Sequence, residues 1–524
     1  MDKKSQVVLF SSTAIALYGY DQGMMSLVNT NYDYLGTMGL KKESPVVGVI
    51  VSVYYLAAAV GAVIFSKAAD VRGRKMAIYL SLTMTIIGDL LMFLSGLGYL
   101  KNVSPIATMF VGRTLLGLGV GGIDAVIPVY SSELSSDDSR GRALAQEFQA
   151  NILGLNIAYA LNLTLTMTLG KYNEWAWRVP IVGMQIFPIA LVSVLHQLPE
   201  SPRWFIFHDR HEEAEESLKT MYSDKDAQKK LKEMQEAAED ESAGNITYAH
   251  MLNPKDRSWH PTVVTIMGQV NQAFTGIGAI SVYGSQLFVL LGRDTTTAEY
   301  LTMGNYVVYL VAMTLAWVLI DKYGRRVLLT SGAGVMAVSF MVLTLFAALA
   351  QKFEGASRLT SFAADVAAMS GDVKQMAMSV LGIVTLYFIT SVFGITWLAT
   401  PMLIPTEIFP ITARAQGSAI SIVIWGLTNF GVTLLTPILF NNISYWLFFI
   451  FGLSNLFAGV WTWIYLPETG GRSFEDNQGF FESAWDEKSW VVRKVDKEFL
   501  DMPKNGSSDN ENDSSNEESP LLRT

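Results

Sequence analysis

The sequence predicts an all-α membrane protein with twelve transmembrane helices, arranged as two pseudo-symmetric halves of six helices each. Three observations support this fold class: the composition, the number of long apolar runs, and an internal repeat of charged motifs. The chain of 524 residues is 50% hydrophobic and only 16% charged, whereas a soluble chain is usually about 25% charged. Because a bilayer leaves no water to satisfy backbone polar groups, apolar runs of spanning length are expected to be helices.

Twelve runs have the apolar character and the length of roughly 20 residues that a bilayer-spanning helix needs. The first run is long enough to span and contains Asp21, so we interpret it as a retained helix rather than a cleaved signal peptide. Lys3 and Lys4 precede this run and place the N-terminus in the cytosol by the positive-inside rule. An even number of spans returns the C-terminus to the same side. The runs lie near residues 7–28, 45–66, 76–98, 105–131, 143–166, 176–197, 261–290, 300–320, 327–351, 378–404, 415–440 and 443–466.

Composition also excludes several classes of function. The absence of cysteine excludes a disulfide framework and a thiolate metal site. The five histidines show no metal-ligand spacing, so we expect no cofactor and no enzyme activity. The net charge of −9 comes chiefly from an acidic C-terminal stretch, so it indicates no nucleic-acid partner. The partner that the apolar runs do indicate is the lipid bilayer.

Charged motifs occur twice, once in each predicted half. The turn from Asp70 to Arg74 after the second run matches the turn from Asp321 to Arg325 after the eighth. A glutamate seven residues before an arginine and a Pro-Glu-Ser/Thr sequence also recur, as parallel repeats in transporters do. Isolated surface ion pairs would not explain the same spacing twice, so we predict a cytosolic charge network that holds the inner gate shut and breaks when the halves rock. Its residues are Asp70, Arg74, Glu133, Arg140, Glu200, Arg203, Asp321, Arg325, Glu407 and Arg414.

The stretch from Gly112 to Arg142 contains an arginine, Arg113, inside a glycine-rich apolar run. Counting about 1.5 Å per residue along each helix, we place Asp21 of the first run and Asp89 of the third at a depth in the membrane similar to that of Arg113. Burial favours the neutral form of a carboxyl group and a nearby arginine favours its charged form. Asp21 beside Arg113 can therefore load and release a proton as water access alternates, or form a permanent structural ion pair. Asp89 is either a further coupling group or a carboxylate that faces a cavity or a loop.

The seventh run contains two glutamines on one helix face, Gln269 and Gln272, at about the middle of the membrane. An amide offers donors and an acceptor, which suits a ligand rich in hydroxyl groups. The alternative is that these amides hold helices together by hydrogen bonds.

The chain contains GYDQG, the two D-x-x-G-R-[KR] turns, GR-x-x-x-G-x-G, PVYSSEL, LPESPRW, PTEIFP and LPETGGRSFE. Together these motifs resemble the sugar porter family of the major facilitator superfamily, and its fungal branch most closely. The resemblance covers roughly residues 7–475 and implies twelve helices, alternating access, and transport of sugars or polyols by uniport or proton symport. In proton-coupled members an aspartate of the first span works with an arginine of the fourth, which corresponds here to Asp21 and Arg113.

The resemblance also implies a substrate site whose polarity is reduced in this chain. The family's contacts correspond to Gln269, Gln272, Tyr283, Trp397 and Asn429. Where many members have polar or larger aromatic residues, this chain has apolar or smaller ones, which favours a polyol, a less hydroxylated solute or an unusual sugar over glucose. The departing positions are Phe148, Ala273, Gly278, Val282 and Met402.

Four segments are expected: an N-terminal half at 1–204, a cytosolic helical linker at 205–258, a C-terminal half at 259–474, and an acidic disordered tail at 475–524. The tail ends in an acidic-dileucine pattern, Glu517 with Leu521 and Leu522. It resembles signals read by sorting adaptors, so the plasma membrane and a vacuolar or endosomal membrane are both open. A uniporter and a non-transporting nutrient sensor are the alternatives to a symporter. Such sensors tend to carry a longer tail.

Overall fold

The computed structural model describes residues 3–41, 44–98, 103–134, 140–242, 247–357, 365–472 and 474–503. The N half consists of α1 (Lys3–Val28), α2 (Tyr32–Met38), α3 (Pro45–Arg72), α4 (Arg74–Leu94), α5 (Pro105–Leu134), α6 (Arg140–Leu169), α7 (Trp175–Gly183) and α8 (Ile186–Leu195). The linker contains α9 (Pro202–Phe207), α10 (His211–Met221), α11 (Asp224–Ser242) and α12 (Tyr248–Met251). The C half consists of α13 (Trp259–Phe274), α14 (Ile277–Leu290), α15 (Thr295–Tyr323), α16 (Arg325–Ser357), α17 (Asp365–Thr396), α18 (Thr400–Ile408), α19 (Ile411–Ile443) and α20 (Trp446–Tyr465).

Eleven helical segments among the described residues are long and apolar enough to cross a membrane. The helix α1, with 26 residues, adds a twelfth of sufficient length, and it packs along α6 inside the N half. Three crossings are each made of two consecutive helices, α7 with α8, α13 with α14, and α17 with α18. The prediction of an all-α, multi-pass membrane protein with two six-helix halves is therefore confirmed.

The packing of the N half is repeated in the C half. In the N half, α1 packs on α6, α3 on α5, and α4 on α5. The equivalent pairs of the C half are α13 with α19, α15 with α17, and α16 with α17. Between the halves, α3 contacts α19 and α6 contacts α15. Exchanging the two halves converts one of these contacts into the other, which is the twofold relation that the repeated motifs predict.

The two faces of the bundle are named here after the predicted topology. The inner side holds the start of α1, where the Lys3 ammonium donates to the carbonyl of Gln197 after α8 at 2.9 Å. It also holds Arg74 and Arg325, at the starts of α4 and α16. The outer side holds the end of α1 at Val28 and the start of α15 near Glu299.

A segment beyond the C half folds against its inner side, unlike the tail predicted from residue 475. Residues 474–503 contain α21 (Phe474–Asp486), α22 (Val492–Val495) and a 3₁₀ turn (Lys497–Leu500). Phe480 and Phe499 are buried in the core of the C half, and the backbone N–H of Glu468 donates to the Phe499 carbonyl at 2.8 Å. The prediction of a disordered tail was wrong for these residues, because it was based on the net acidity of the stretch and not on its buried aromatic residues. The dileucine pattern at Glu517, Leu521 and Leu522 lies outside the described residues.

Replacing Phe480 by alanine is expected to destabilise the protein by about 3–5 kcal/mol, because it removes a buried aromatic ring and leaves a cavity. The exposed neighbour Glu482 on the same helix provides the matched control, Glu482→Ala, which should change stability by less than about 0.5 kcal/mol. The measurement is thermal unfolding of the purified protein in detergent. Equal unfolding temperatures for the two variants would contradict the docking of this segment.

Candidate functional site

A buried ion pair joins the first and fourth spans of the N half. The Arg113 guanidinium of α5 lies 2.5 Å from the Asp21 carboxylate of α1, through Nη1 and Oδ1. Both side chains are almost fully buried, at 1% and 2% exposure. Tyr54 of α3 lies with its ring 4.7 Å from the guanidinium carbon, and the Val51 carbonyl accepts from Nη2 at 3.5 Å. The sequence predicts this meeting of Asp21 and Arg113, and the structure places them together.

Two glycines of the GYDQG motif bring α1 close to α6 and so fix Asp21 in depth. A Cβ atom on Gly19 would overlap the backbone of Asn151, and one on Gly23 would overlap the backbone of Leu155. Close backbone approach of this kind is how small residues pack transmembrane helices. The glycines of this motif thus position the helix, and the aspartate between them supplies the charge.

Both glutamines of α13 are buried, and their amide N–H groups bond to α18, to α19 and to the break between α17 and α18. Gln272 donates to the carbonyls of Trp397 and Leu398 at 2.7 and 2.9 Å. Gln269 donates to the Ser421 hydroxyl at 2.7 Å and to the Pro401 carbonyl at 3.1 Å. The N–H groups therefore hold helices together, which is the alternative that the sequence left open. The Oε1 atoms of both amides have no protein partner among the described residues.

The other predicted substrate residues are placed differently from one another. Tyr283 lies where the backbone of α14 departs from helical geometry, and its hydroxyl donates to Thr433 at 3.1 Å. The Asn429 amide oxygen lies 2.9 Å from the Cβ position of Gly278, so α14 and α19 meet at this amide. The Trp397 indole N–H donates to Leu329 of α16 at 3.0 Å, inside the C half.

An aromatic cluster, which the sequence did not predict, lies between the halves. Trp425 of α19 makes edge contacts with Tyr18 of α1 at 5.4 Å and with Tyr55 of α3 at 5.5 Å. Gln22, one turn along α1 from Tyr18, donates to both tyrosine hydroxyls, at 2.5 and 3.4 Å. Trp425 lies one turn from Asn429 on α19, where its carbonyl accepts from that amide at 2.9 Å. In the sequence, the feature that could have indicated this cluster is Gln22, the polar residue directly after Asp21 in GYDQG.

At the inner side of the N half, Arg74 connects two helices and a turn. Its guanidinium donates to Glu133 of α5 at 3.2 and 3.3 Å and to Asp70 of α3 at 2.8 Å. The Glu200 carboxylate accepts from the backbone N–H of Arg74 at 3.0 Å and from that of Lys75 at 3.1 Å. Four of the predicted network residues therefore form one cluster.

The C half repeats this cluster with its own residues. Arg325 donates to Glu407 of α18 at 2.8 and 3.0 Å and lies 3.3 Å from Asp321. The Glu468 carboxylate accepts from the backbone N–H groups of Arg325 and Arg326 at 2.9 and 3.0 Å. Glu468 was not among the predicted network residues, although it is the counterpart of Glu200 in the repeated Pro-Glu-Ser/Thr sequence.

Each of these two glutamates caps the N-terminus of a membrane-spanning helix. A free helix N-terminus exposes unpaired N–H groups, which a carboxylate satisfies. Gly73 and Gly324 precede the capped helices with φ of +98° and +83°, and a side chain at either glycine would collide with the carboxylate. Burial raises the pKa of Glu200 and of Glu468 above the ordinary glutamate value, while the backbone N–H groups oppose that rise.

The described contacts of both arginines stay within one half. Arg74 binds residues of α3 and α5, and Arg325 binds residues of α15 and α18. Each network thus braces its own half. Arg203 and Arg414 are half-buried, at the start of α9 and in the first turn of α19. The side chain of Arg140 lies outside the described residues.

A contact between the halves closes the outer side, and the sequence did not predict it. The Lys171 ammonium, after α6, lies 2.6 Å from the carboxylate of Glu299 on α15, whose side chain is fully buried. Tyr159 of α6 donates to the Glu299 carbonyl at 3.1 Å and meets the Tyr306 ring edge-on at 5.0 Å. An acidic residue in a membrane-spanning segment indicates a functional position. Glu299 lies in such a segment, so its importance could have been predicted from the sequence.

Reversing the charge of Lys171 is expected to open the outer side. In Lys171→Glu the two carboxylates repel, so the halves separate there more often. The chain has no cysteine, so Ser26→Cys on α1, buried 3.4 Å from the Tyr306 hydroxyl, can report opening through its reaction rate with an impermeant thiol reagent. We expect at least about a tenfold faster reaction, which corresponds to roughly 1.4 kcal/mol. The doubly reversed Lys171→Glu/Glu299→Lys should return the rate toward that of the parent, and a reversal that leaves the rate unchanged contradicts the contact.

Comparisons with known proteins agree with this architecture. A family model described as "Sugar (and other) transporter" matches residues 7–481. The chain is 28% identical over 488 residues to the MFS-type transporter oryC of Aspergillus oryzae, which covers 91% of this chain and 85% of that protein. It is 27% identical to the glucose transporter GlcP of Staphylococcus epidermidis, with 90% and 97% coverage.

A solved structure has the same fold. The proton:xylose symporter XylE bound to 6-bromo-6-deoxy-D-glucose matches with a TM-score of 0.73, over 91% of this chain and 99% of that chain. The sequence identity is 21%, so this likeness shows the major facilitator fold and no more.

Proposed function

Since the chain belongs to the Sugar (and other) transporter family, we propose that it carries a sugar or polyol-like solute by alternating access, in symport with protons. The single observation that carries the coupling is the Asp21–Arg113 pair, buried at 2.5 Å between α1 and α5. A buried ion pair is strongly destabilised when one partner loses its charge. Protonation of Asp21 therefore releases Arg113, and the energy of the proton gradient reaches the helices through that release.

The cycle follows from contacts on the two sides of the bundle. Closure of the outer side is stabilised by Lys171 with Glu299 and by Tyr159 with Tyr306. The inner networks around Arg74 and Arg325 keep each half rigid, so that the halves rock as bodies rather than unfolding locally. The inner side is the cytosolic side in this proposal, which places both termini in the cytosol. In this proposal the inner charge networks stabilise each half internally, instead of holding the inner gate shut as the sequence predicted.

The solute site that we propose lies where α13, α14 and α19 of the C half face α1 and α3. The acceptor oxygens of Gln269 and Gln272 are buried without a protein partner among the described residues, and the Asn429 amide faces Gly278. Trp425 with Tyr18 and Tyr55 gives an aromatic wall on the same side of α19. Binding sites for small molecules combine an apolar wall with a few placed polar groups. With Gly278 and Val282 in place of polar residues, this wall suits a polyol or a sparsely hydroxylated sugar.

Transport in proteoliposomes tests the proposal. Uptake of D-glucose, D-xylose, sorbitol and myo-inositol is measured with and without an inward proton gradient, and exchange of labelled for unlabelled solute is measured without a gradient. We expect at least one of these solutes to accumulate uphill only with the gradient. In Asp21→Asn, exchange should persist while uphill accumulation falls to the level set by simple equilibration.

Uniport of the same solutes is the alternative, in which the Asp21–Arg113 pair is only structural. The full burial and direct contact of both side chains suit that role as well. A parent protein that equilibrates solutes but never accumulates them would establish uniport. Uphill accumulation that survives in Asp21→Asn would remove Asp21 from the coupling.

We further propose that the C-terminal tail determines in which membrane the protein resides. If the pattern at Glu517, Leu521 and Leu522 binds sorting adaptors, the transporter resides in a vacuolar or endosomal membrane. Replacing both leucines by alanine should then redirect a tagged protein to the plasma membrane, as seen by fluorescence microscopy. An unchanged distribution assigns the tail no role in sorting.

A further inference from the structure

A second carboxyl group is buried in the N half and has no use in the cycle described above. Asp89 of α4 is 1% exposed. Its Oδ2 atom accepts from the Gln185 amide at 2.7 Å, and its Oδ1 atom has no protein partner among the described residues. Across the ranges that the structure describes, no lysine, arginine or histidine lies within ion-pair distance of Asp89, so this carboxyl group has one neutral donor and no paired cation.

Gln185 holds this carboxyl group in a fixed place. It lies at the break between α7 and α8, and its Nε2 atom donates both to Asp89 and to the Ile86 carbonyl, the latter at 3.1 Å. The amide therefore ties the sixth span to one turn of α4. A single amide donor cannot stabilise a buried carboxylate in the way that a cation and several N–H groups do.

The charged groups that face Asp89 belong to the coupling pair. Asp21 of α1 and Arg113 of α5 are the ionisable groups whose fields reach it, and the Tyr20 hydroxyl of α1 is the nearby titratable neutral group. Arg178 of α7 does not pair with Asp89; it pairs with Glu174 and donates to the Phe93 carbonyl. Among the described groups, Asp21 and Asp89 are therefore two carboxyl groups with only the Arg113 guanidinium to share, and Asp89 lacks a paired counter-charge.

We propose that Asp89 is a second proton-binding group of this transporter, positioned by Gln185, and that it holds a proton while Asp21 is paired with Arg113. Two acids that share one cation titrate as a coupled pair. When Asp21 takes up a proton, Arg113 is left without its partner and its field favours ionisation of Asp89, which releases its proton. Each change forms or breaks one O–H bond with water as the other participant, so the charge of the region is conserved.

The role in transport rests on the proposed proton symport, whereas the protonation of Asp89 does not. Infrared spectroscopy of the protein in liposomes tests the protonation directly, because a protonated carboxylic acid has a carbonyl stretching band distinct from that of a carboxylate. At neutral pH we expect such a band in the parent and its loss in Asp89→Asn. In Asp21→Asn we expect the band to weaken, because Arg113 then lacks its partner and favours the ionised form of Asp89. Gln185→Leu should shift the frequency of the band, since the hydrogen bond to Asp89 is gone.

Two further variants keep the result decisive. Asp89→Glu should move the band rather than abolish it, and it serves if Asp89→Asn does not fold. Asp124→Asn removes another carboxyl group of the same half, on α5, and should leave the Asp89 band unchanged. A spectrum of Asp89→Asn identical to that of the parent overturns the proposal.

Transport then separates this inference from the proposed function. If the parent accumulates solute with the proton gradient, Asp89→Asn should keep solute exchange within about twofold and shift the midpoint of the pH dependence of uptake by at least about one unit. An unchanged midpoint contradicts the role of Asp89 in transport while the symport stands. A parent without gradient-driven accumulation contradicts the symport, and the infrared band then decides by itself whether Asp89 holds a proton.

Discussion

Replacing Arg113 by alanine is expected to abolish transport and to destabilise the protein by about 3–5 kcal/mol, because it leaves the Asp21 carboxylate buried without its partner. The guanidinium also loses its place over the Tyr54 ring, 4.7 Å away. The measurements are solute exchange in proteoliposomes and thermal unfolding in detergent. Exchange should fall to the level of protein-free liposomes, since the N half can no longer hold the arrangement of α1 and α5.

A double variant provides the control for this prediction. Asp21→Asn/Arg113→Gln replaces both charges by neutral amides that can bond to each other, so most of the lost stability should return. Gradient-driven accumulation should remain absent, because neither amide that replaces the pair can bind or release a proton. If Arg113→Ala unfolds at the same temperature as the parent, the pair contributes nothing to the fold. If the double variant accumulates solute uphill, the coupling lies elsewhere.

Replacing Glu468 by alanine is expected to have the second largest effect, a destabilisation on the order of 3 kcal/mol. The substitution leaves the backbone N–H groups of Arg325, Arg326 and Gly470 without their acceptor, and each buried unpaired N–H costs about 1–3 kcal/mol. Because α16 then begins without a cap, the inner side of the C half should loosen first. Thermal unfolding in detergent measures the overall loss of stability.

Glutamine at the same position separates the hydrogen bonds from the charge. Burial raises the pKa of Glu468, so the neutral form is not strongly disfavoured there and Glu468→Gln should cost less than half as much as Glu468→Ala. The mirrored pair, Glu200→Gln and Glu200→Ala, should show the same order, because Glu200 caps α4 in the N half in the same way. Equal losses for glutamine and alanine would mean that the charge, rather than the hydrogen bonds, stabilises the helix start.

The repeated motifs predicted the elements of the fold well because they are local. An apolar run indicates a membrane helix, and the turn around Arg74 indicates the start of the next one wherever it recurs. The contact of Arg113 with Asp21 was also accessible, since depth can be counted along each helix from its end. These inferences need only the rise per residue and the cost of an unpaired charge in a bilayer.

Contacts that depend on how the halves meet could not be predicted in this way. Lys171 and Glu299 are separated by 128 residues and lie in different halves, and no sequence pattern fixes the rotation that brings them together. The direction of the Trp397 indole toward Leu329 lies within the C half, but it is likewise a result of packing that no local sequence pattern fixes. The acidic composition after residue 475 likewise concealed Phe480 and Phe499, because averaging charge over a window discards the spacing of individual aromatic residues.

The docked segment at 474–503 gives the transporter a fixed point of attachment for whatever follows it. Arg326 at the start of α16 donates both to the Trp463 carbonyl and to the Leu500 carbonyl. These hydrogen bonds attach the segment to the C half. In the proposed cycle, any adaptor, tag or label joined beyond residue 503 therefore moves with the C half. A pair of probes, one after residue 503 and one on α1, would report the proposed rocking motion as a change of distance.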